Sequence, residues 1–346
     1  MSRKTLAAVG AASLLAITAC GGPAAEQASQ EEAGSSASAG GQHQLSVAMV
    51  TSSCLGFFPV YVAQEQGFFE ENGVQVDIEV VNGSSAVLQA MLSGQVDLGT
   101  PGSIPVVLAN SRGEDVQYVA NVNPGGNFAL VTPEDSGISD ASQLEGKTIG
   151  VATADGGEVS FLETILREAG LEEGSYEIMT VGEGGQAVAG FSRGDIDAYS
   201  ASIDGVATLE QAGQPLQDIS GNATNYLFGN GVAASSELIA DQPEAIEAFG
   251  RAYRQATEHG LENPDDVVAA CGQYQPQEVE DPEYATALLE ASRKTVTSPD
   301  GDDFGYSNPE YWQQLIDDAV SSGEIEEGAV EADSLYTNEF VEGFNR

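Results

Sequence analysis

Positive charge is scarce in this chain: 11 Lys and Arg stand against 54 Asp and Glu over 346 residues, a formal net charge of -43. A polyanion of that strength is repelled by phosphate backbones and by anionic lipid headgroups, so nucleic acid is excluded as a partner. Histidine is scarcer still. Two copies, His43 and His259, leave no hydrolase triad and no His-rich metal site, so neither a metal nor a cofactor is expected. No GxSxG, Walker A or GxGxxG pattern follows a strand where its mechanism would require one. What is present is ordinary globular material, 41% hydrophobic and 19% charged, which argues against global disorder and is enough for two domains with real cores. The acidic excess is spread along the whole chain and reads as a solvated surface, halophile-like or simply that of an acidic extracellular protein.

The first residues read as an address. Ser2-Arg3-Lys4 supplies a short positive region, and Leu6 to Ile17 is an uncharged stretch too short for a membrane span of roughly 20 residues. It ends in Leu15-Ala16-Ile17-Thr18-Ala19-Cys20, which resembles a bacterial lipobox. Residues 1–19 are therefore expected to be an export signal, and Cys20 a lipidated N-terminus holding the protein to the outer face of the cytoplasmic membrane. Residues 20–44, with almost no large apolar side chain, read as a flexible tether that includes His43. Cys54 and Cys271 remain as an even pair in an exported chain. A disulfide is the default for them, two buried thiols the alternative.

From residue 45 the chain repeats itself. Leu45 to Val50 reads as a strand, about Pro59 to Glu71 as a helix, Val74 to Val81 as a strand and Ala86 to Leu92 as a helix; Gly94-Gln95-Val96-Asp97 then leads to a third strand. The order returns with strand Thr148 to Ala152, helix Val159 to Glu168, strand Tyr176 to Val181, helix Gln186 to Ser192 and Gly194-Asp195-Ile196-Asp197. Strands alternating with helices predict an α/β protein with two mostly parallel sheets. In such sheets ligands sit beyond the carboxyl ends of the strands, so two facing units would enclose a cleft. Its walls would be loops 51–57, 82–85 and 99–103 on one side, and 153–158, 182–185 and 199–204 on the other. Four segments beginning at Pro243, Pro264, Pro282 and Pro309 read as further helices, since Pro suits a helix start. The predicted layout is one lobe of 45–130 plus 226–346 and a second of 131–225, with strands near 128–132 and 225–234 as the hinge.

The run Pro59-Val60-Tyr61-Val62-Ala63 followed by Gly67-Phe68-Phe69-Glu70-Glu71-Asn72-Gly73-Val74 resembles a stretch of the solute-binding proteins of ABC importers, in the group serving thiamine pyrimidine precursors, nitrate, sulfonates and taurine. Leu92 to Asp97, Asp135 to Ile138 with Leu144 to Val151, Gly194 to Ala198 and Tyr336 to Phe340 follow in the same order, so the resemblance covers roughly 45 to 346. It implies a two-lobed type II periplasmic-binding-protein fold, a monomer that closes on a small-molecule solute and delivers it to an ABC permease, touching the membrane only through its lipid. The pyrimidine synthases that share this ancestry use a Cys-rich segment and a sacrificial His, neither of which surrounds Cys54.

The predicted walls carry Ser52, Ser53 and Phe57, then Ser84 and Ser85, then Thr100, Gly102 and Ser103, with Asn123 near the crossing. Opposite them stand Asp155 and Gly156, then Glu183, then Tyr199, Ser202 and Asp204. None of the 11 basic residues falls in these loops. Acids, hydroxyls and aromatic faces suit a neutral or cationic nitrogenous solute such as a pyrimidine, because a carboxylate accepts from ring amines and π faces attract cations. A sulfonate, taurine or nitrate would instead rely on helix N-termini at Ser84-Ser85 or Gly156-Gly157. A ligand-sensing ectodomain would bind in the same manner, and an enzyme would have to pair carboxylates such as Asp155 and Asp204.

Cys20→Ala is expected to release the protein from membranes on cell fractionation; a variant retained there as firmly as wild type would rule out the lipid anchor.

Overall fold

A computed structural model describes residues 42–154, 157–182, 184–221 and 226–346, so Cys20 lies outside the described residues. Strand β1 (His43–Met49) buries Leu45, Val47 and Met49 and runs parallel to β2 (Val74–Val80), with His43 opposite Val74. Pairing therefore draws His43 and Gln44 out of the expected tether and into the sheet. Between these strands the single helix expected over 59–71 is two, α1 (Phe58–Gln66) and α2 (Phe68–Glu71). Gly67 separates them at φ 79°, a left-handed geometry that closes one helix and turns the chain into the next. Next come α3 (Ser84–Leu92), β3 (Leu98–Gly99), α4 (Ser103–Ser111) and β4 (Gln117–Asn121).

The second series is β5 (Phe128–Pro133), β6 (Thr148–Val151), α5 (Gly157–Glu168), β7 (Glu177–Thr180), α6 (Gly185–Arg193), β8 (Ala198–Ser202), α7 (Ile203–Gln211) and β9 (Leu216–Asp218). The chain returns through β10 (Gly231–Ala234) to α8 (Ser236–Asp241), α9 (Pro243–Glu262), α10 (Pro264–Tyr274), α11 (Pro282–Thr295), α12 (Pro309–Ser321) and α13 (Val341–Phe344). Each of α9 to α12 carries its proline in the first turn, and Asp281 and Asn308 cap α11 and α12 by accepting from the backbone N–H of Glu283 and Glu310.

The strands form two five-stranded sheets, ordered β2-β1-β3-β10-β4 and β7-β6-β8-β5-β9. The plans coincide position by position. In each, four strands run one way and the fourth in order, β10 or β5, runs antiparallel to its neighbours. That antiparallel strand is the one the chain lays down on first entering the sheet from the other. The two connections meet at Asn123 and Gly229–Asn230: Asn123 N–H donates to Asn230 O at 3.0 Å and Gly229 N–H to Asn123 O at 2.8 Å.

The repeated Gly-x-Val/Ile-Asp run has a structural cause. Gly94 and Gly194, at φ 71° and 70°, end α3 and α6, and three residues on each aspartate turns back to a neighbouring strand of its sheet, β1 or β6. Asp97 Oδ2 accepts from Ser46 N–H at 2.7 Å and from the Ser46 hydroxyl at 2.8 Å. Asp197 Oδ2 accepts from Thr148 N–H at 3.0 Å, while its other oxygen holds Lys147 at 3.0 Å.

One buried cluster centres on α1 and α9 through Phe58, Phe249 and Tyr253. A second runs from Val106 and Tyr118 in the first sheet region to Phe161 and Leu162 in the second. Trp312 of α12 is fully buried within it, its ring 4.8 Å from Phe228 and 5.0 Å from Tyr118. Among the described residues no helix is long and apolar enough to cross a membrane.

Cys54, in the loop after β1, is bonded to Cys271 of α10, with a Cα–Cα distance of 5.4 Å across 217 residues of chain. Closing a loop of that length removes about 5 kcal/mol of unfolded-chain entropy on the simplest account. Full reduction is expected to lower the melting temperature by roughly 5–10 °C, read by circular dichroism with and without reductant. A melt indifferent to reduction would show that the bond contributes nothing to folding.

Candidate functional site

The loop after β1 folds onto itself. Thr51 Oγ1 accepts from Ser53 N–H at 3.2 Å, Ser53 Oγ from Gly56 N–H at 3.1 Å, and Cys54 O from Phe57 N–H at 3.2 Å. The two N–H groups left between them, those of Cys54 and Leu55, converge on one oxygen, Oε2 of Glu278, at 3.0 and 2.9 Å. Every backbone donor from 53 to 57 is thus satisfied from within the protein, two of them by a carboxylate. Burial, with the charge of Glu278 beside it, pushes the Tyr61 phenol up to about 12.

The other loops of this wall are tied to one another. Ser84 Oγ, at the start of α3, accepts from Gly102 N–H at 3.0 Å. Thr100 Oγ1 accepts from Val50 N–H at 3.1 Å and donates to Ala48 O at 3.3 Å. Ser103 Oγ donates to Phe228 O at 2.9 Å, so it braces the return connection. Asn123 donates through Nδ2 to Thr295 Oγ1 at 3.0 Å, and its buried Oδ1 has no partner among the described residues. Ser52 and Ser85 are exposed.

The second wall repeats the device of the first. Glu158, 8% exposed, turns its Oε1 back to accept from the N–H and the hydroxyl of Thr153, both at 2.9 Å. Ser202 Oγ caps α7 by accepting from Gly205 N–H at 3.2 Å. Asp204 follows in the first turn of α7 and faces the opposite wall: its Oδ1 is 3.8 Å from where a β-carbon on Gly56 would stand. Gln211, at the far end of α7, donates to Asp281 at 2.6 Å, and Ile203 N–H to Asn127 O at 3.1 Å.

These contacts bring together Ser53, Gly56 and Asp204 from the sequence-predicted walls, and they correct two expectations. Tyr199 lies within β8, not in a loop, and is 1% exposed; its hydroxyl donates to Gly182 O at 3.0 Å and its ring meets Phe191 edge-on. It is a core residue, because an alternate strand position in a covered sheet points inward. Phe57, 8% exposed, belongs to the first buried cluster, because it opens the apolar face of α1. Asp155, Gly156 and Glu183 lie outside the described residues. Sequence reasoning missed Glu278, which no motif marks; its one signal is Cys271, seven residues before it, once Cys271 is paired with Cys54.

A cavity of about 670 Å³ lies at the other end of the first sheet, lined by Leu45, Val74 and Asp97 near the amino ends of β1 and β2. Among the described residues no group of three or more His, Cys, Asp or Glu side chains could hold a metal ion. The loops after β1 and β6 thus present carboxylates and hydroxyls, with the backbone N–H groups of residues 53–57 and Thr153 already taken.

A family model described as NMT1/THI5 like matches residues 55–267. The riboflavin-binding protein RibY of Chloroflexus aurantiacus is 24% identical over 308 residues, covering 87% of this chain and 86% of RibY. The 4-amino-5-hydroxymethyl-2-methylpyrimidine phosphate synthase of Aspergillus parasiticus is 27% identical over 221 residues, 60% of this chain and 63% of the synthase. Among solved structures, the periplasmic aliphatic sulphonate binding protein SsuA from Escherichia coli matches with a TM-score of 0.69 at 16% identity, covering 84% of this chain and 91% of that one. At such identity the likeness is one of fold, and it carries the two-sheet, two-crossing plan described above.

Tyr199→Phe removes a buried hydroxyl from its carbonyl partner and is expected to lower the unfolding free energy by about 1 kcal/mol in a urea titration. An unchanged midpoint and slope would mean that the hydroxyl is not held by Gly182.

Proposed function

This chain belongs to the NMT1/THI5-like family, and we propose that it is the extracytoplasmic solute receptor of an ABC importer, taking a neutral or cationic nitrogen-containing ring compound between its two walls. One observation carries the charge preference. The N–H groups in the loop after β1, where an oxyanion would be held, are already spent on Glu278, and Asp204 approaches the same loop from across the cleft. An anion would meet two carboxylates there, with the backbone N–H groups of residues 53–57 already taken. A ring amine or ammonium would meet acceptors.

The capture step follows from the geometry. A solute hydrogen-bonded to Asp204 of α7 and to hydroxyls such as Ser52 of the first wall stabilises the arrangement in which both walls touch it, by the contacts it makes only there. Lipid at Cys20 would keep the receptor beside its permease. The relationship to RibY, a riboflavin-binding protein, supports the ring class. The relationship to a synthase raises an enzymatic reading, against which stand the chemistry of Cys54, whose sulfur is bonded to Cys271, and of His259, whose Nε2 lies 2.8 Å from Asp266 on α10. A sulfonate or nitrate reading has one observation in its favour, the exposed start of α3 at Ser85, where unpaired helix N–H groups collect.

A thermal-shift screen of riboflavin, 4-amino-5-hydroxymethyl-2-methylpyrimidine, taurine and nitrate decides between these. At a hundredfold excess over Kd a true solute stabilises by about 2.7 kcal/mol, so a rise of several degrees is expected with a nitrogenous ring and none with the anions. A rise with taurine or nitrate alone would overturn the ligand class, and small-angle scattering with the active compound should show compaction.

A further inference from the structure

We infer that Glu278 is the specificity-determining residue that closes this cleft to anions: its carboxylate is a built-in stand-in for an anionic solute, and the Cys54–Cys271 bond holds it in place. The inference rests on the receptor reading above and deepens it by assigning the charge selection to one side chain.

Two backbone N–H groups converging on a single oxygen make the kind of cradle that holds a sulfonate or carboxylate oxygen in other settings. Here Cys54 and Leu55 supply that pair at 3.0 and 2.9 Å, and the oxygen comes from the protein itself. The carboxylate is delivered by a short strap from Gln275 to Asp281, which is fixed at three points. Cys271, just before it, is bonded to Cys54. The Tyr274 hydroxyl donates to Glu65 of α1 at 3.0 Å. Asp281, at its end, accepts from Gln211 of α7 on the second wall at 2.6 Å. The strap therefore lies along the line where the walls meet, and only two residues stand between Glu278, whose side chain fills the cradle, and Asp281, which touches the opposite wall. Asp204 adds a second carboxylate within reach of Gly56, so an anion entering beside Glu278 faces repulsion from both.

Cys271 and Glu278 lie beyond the matched stretch 55–267, while Leu55, which supplies one of the two donors, lies within it. Removing the carboxylate should free two donors at one point. Removing only its charge should leave an oxygen in the cradle and lift the repulsion.

The test measures taurine and nitrate binding by calorimetry to wild type, Glu278→Ala and Glu278→Gln, with riboflavin and 4-amino-5-hydroxymethyl-2-methylpyrimidine as nitrogenous probes on the same three proteins. Glu278→Ala is expected to bind at least one anion tenfold or more tightly than wild type, with Glu278→Gln between the two. The glutamine variant keeps the shape of the site and serves if the alanine variant does not fold. Folded variants with no gain in anion binding would overturn the inference and leave the receptor reading standing. Loss of the nitrogenous response without an anion gain would overturn it too, since Glu278 would then be serving the solute or the loop. Wild type that binds taurine or nitrate and neither ring compound would overturn the ligand class itself.

Discussion

A backbone N–H at the carboxyl end of a parallel strand has left its sheet and needs another acceptor, and that need organises the functional end of this protein. In many α/β proteins the vacancy is what a ligand fills. Here it is met from within. Glu278 takes two donors in the loop after β1, and Glu158 takes Thr153 in the loop after β6, the equivalent strand of the second sheet. Because each acceptor is a carboxylate, satisfying the backbone and setting the local charge are one act. The same bonds that tie these loops down also set the charge along them.

The pairing of Glu278 with Glu158 is one expression of a plan stated twice. Strand orders correspond, the antiparallel member sits in the same place in both sheets, and Asp97 and Asp197 do the same work at the foot of each central strand. The halves differ in how the carboxylate arrives. Glu158 is five residues from the threonine it serves and needs only a helix start to aim it. Glu278 comes from more than two hundred residues away, and a covalent bond between Cys54 and Cys271 brings it near. A solvent-exposed ion pair would not hold such a strap, being worth at most about 1 kcal/mol.

The lobes share more than their two connections. Trp312 packs in a cluster that reaches both sheets, and α7 carries Asp204 toward the first wall while touching α11 through Gln211 and Asp281. The backbone bonds between Asn123 and Gly229–Asn230 tie the crossings to each other.

Element order was legible in the sequence because apolar periodicity, the repeated Gly-x-Val/Ile-Asp run and prolines at helix starts are local signals, each read within a dozen residues, whereas the break at Gly67 was passed over. Local signals also sufficed for the doubled architecture. They misplaced Tyr199, since an aromatic at a strand end looks the same whether it faces solvent or core, and only the covering helices decide. They passed over Glu278 altogether, because a lone acid in a polar turn among 54 acids carries no mark of its own. Composition and periodicity determined an α/β chain with two repeated units and an acidic surface. Tertiary structure alone decided which backbone donors stay open to a solute, because that depends on contacts between residues the chain keeps far apart.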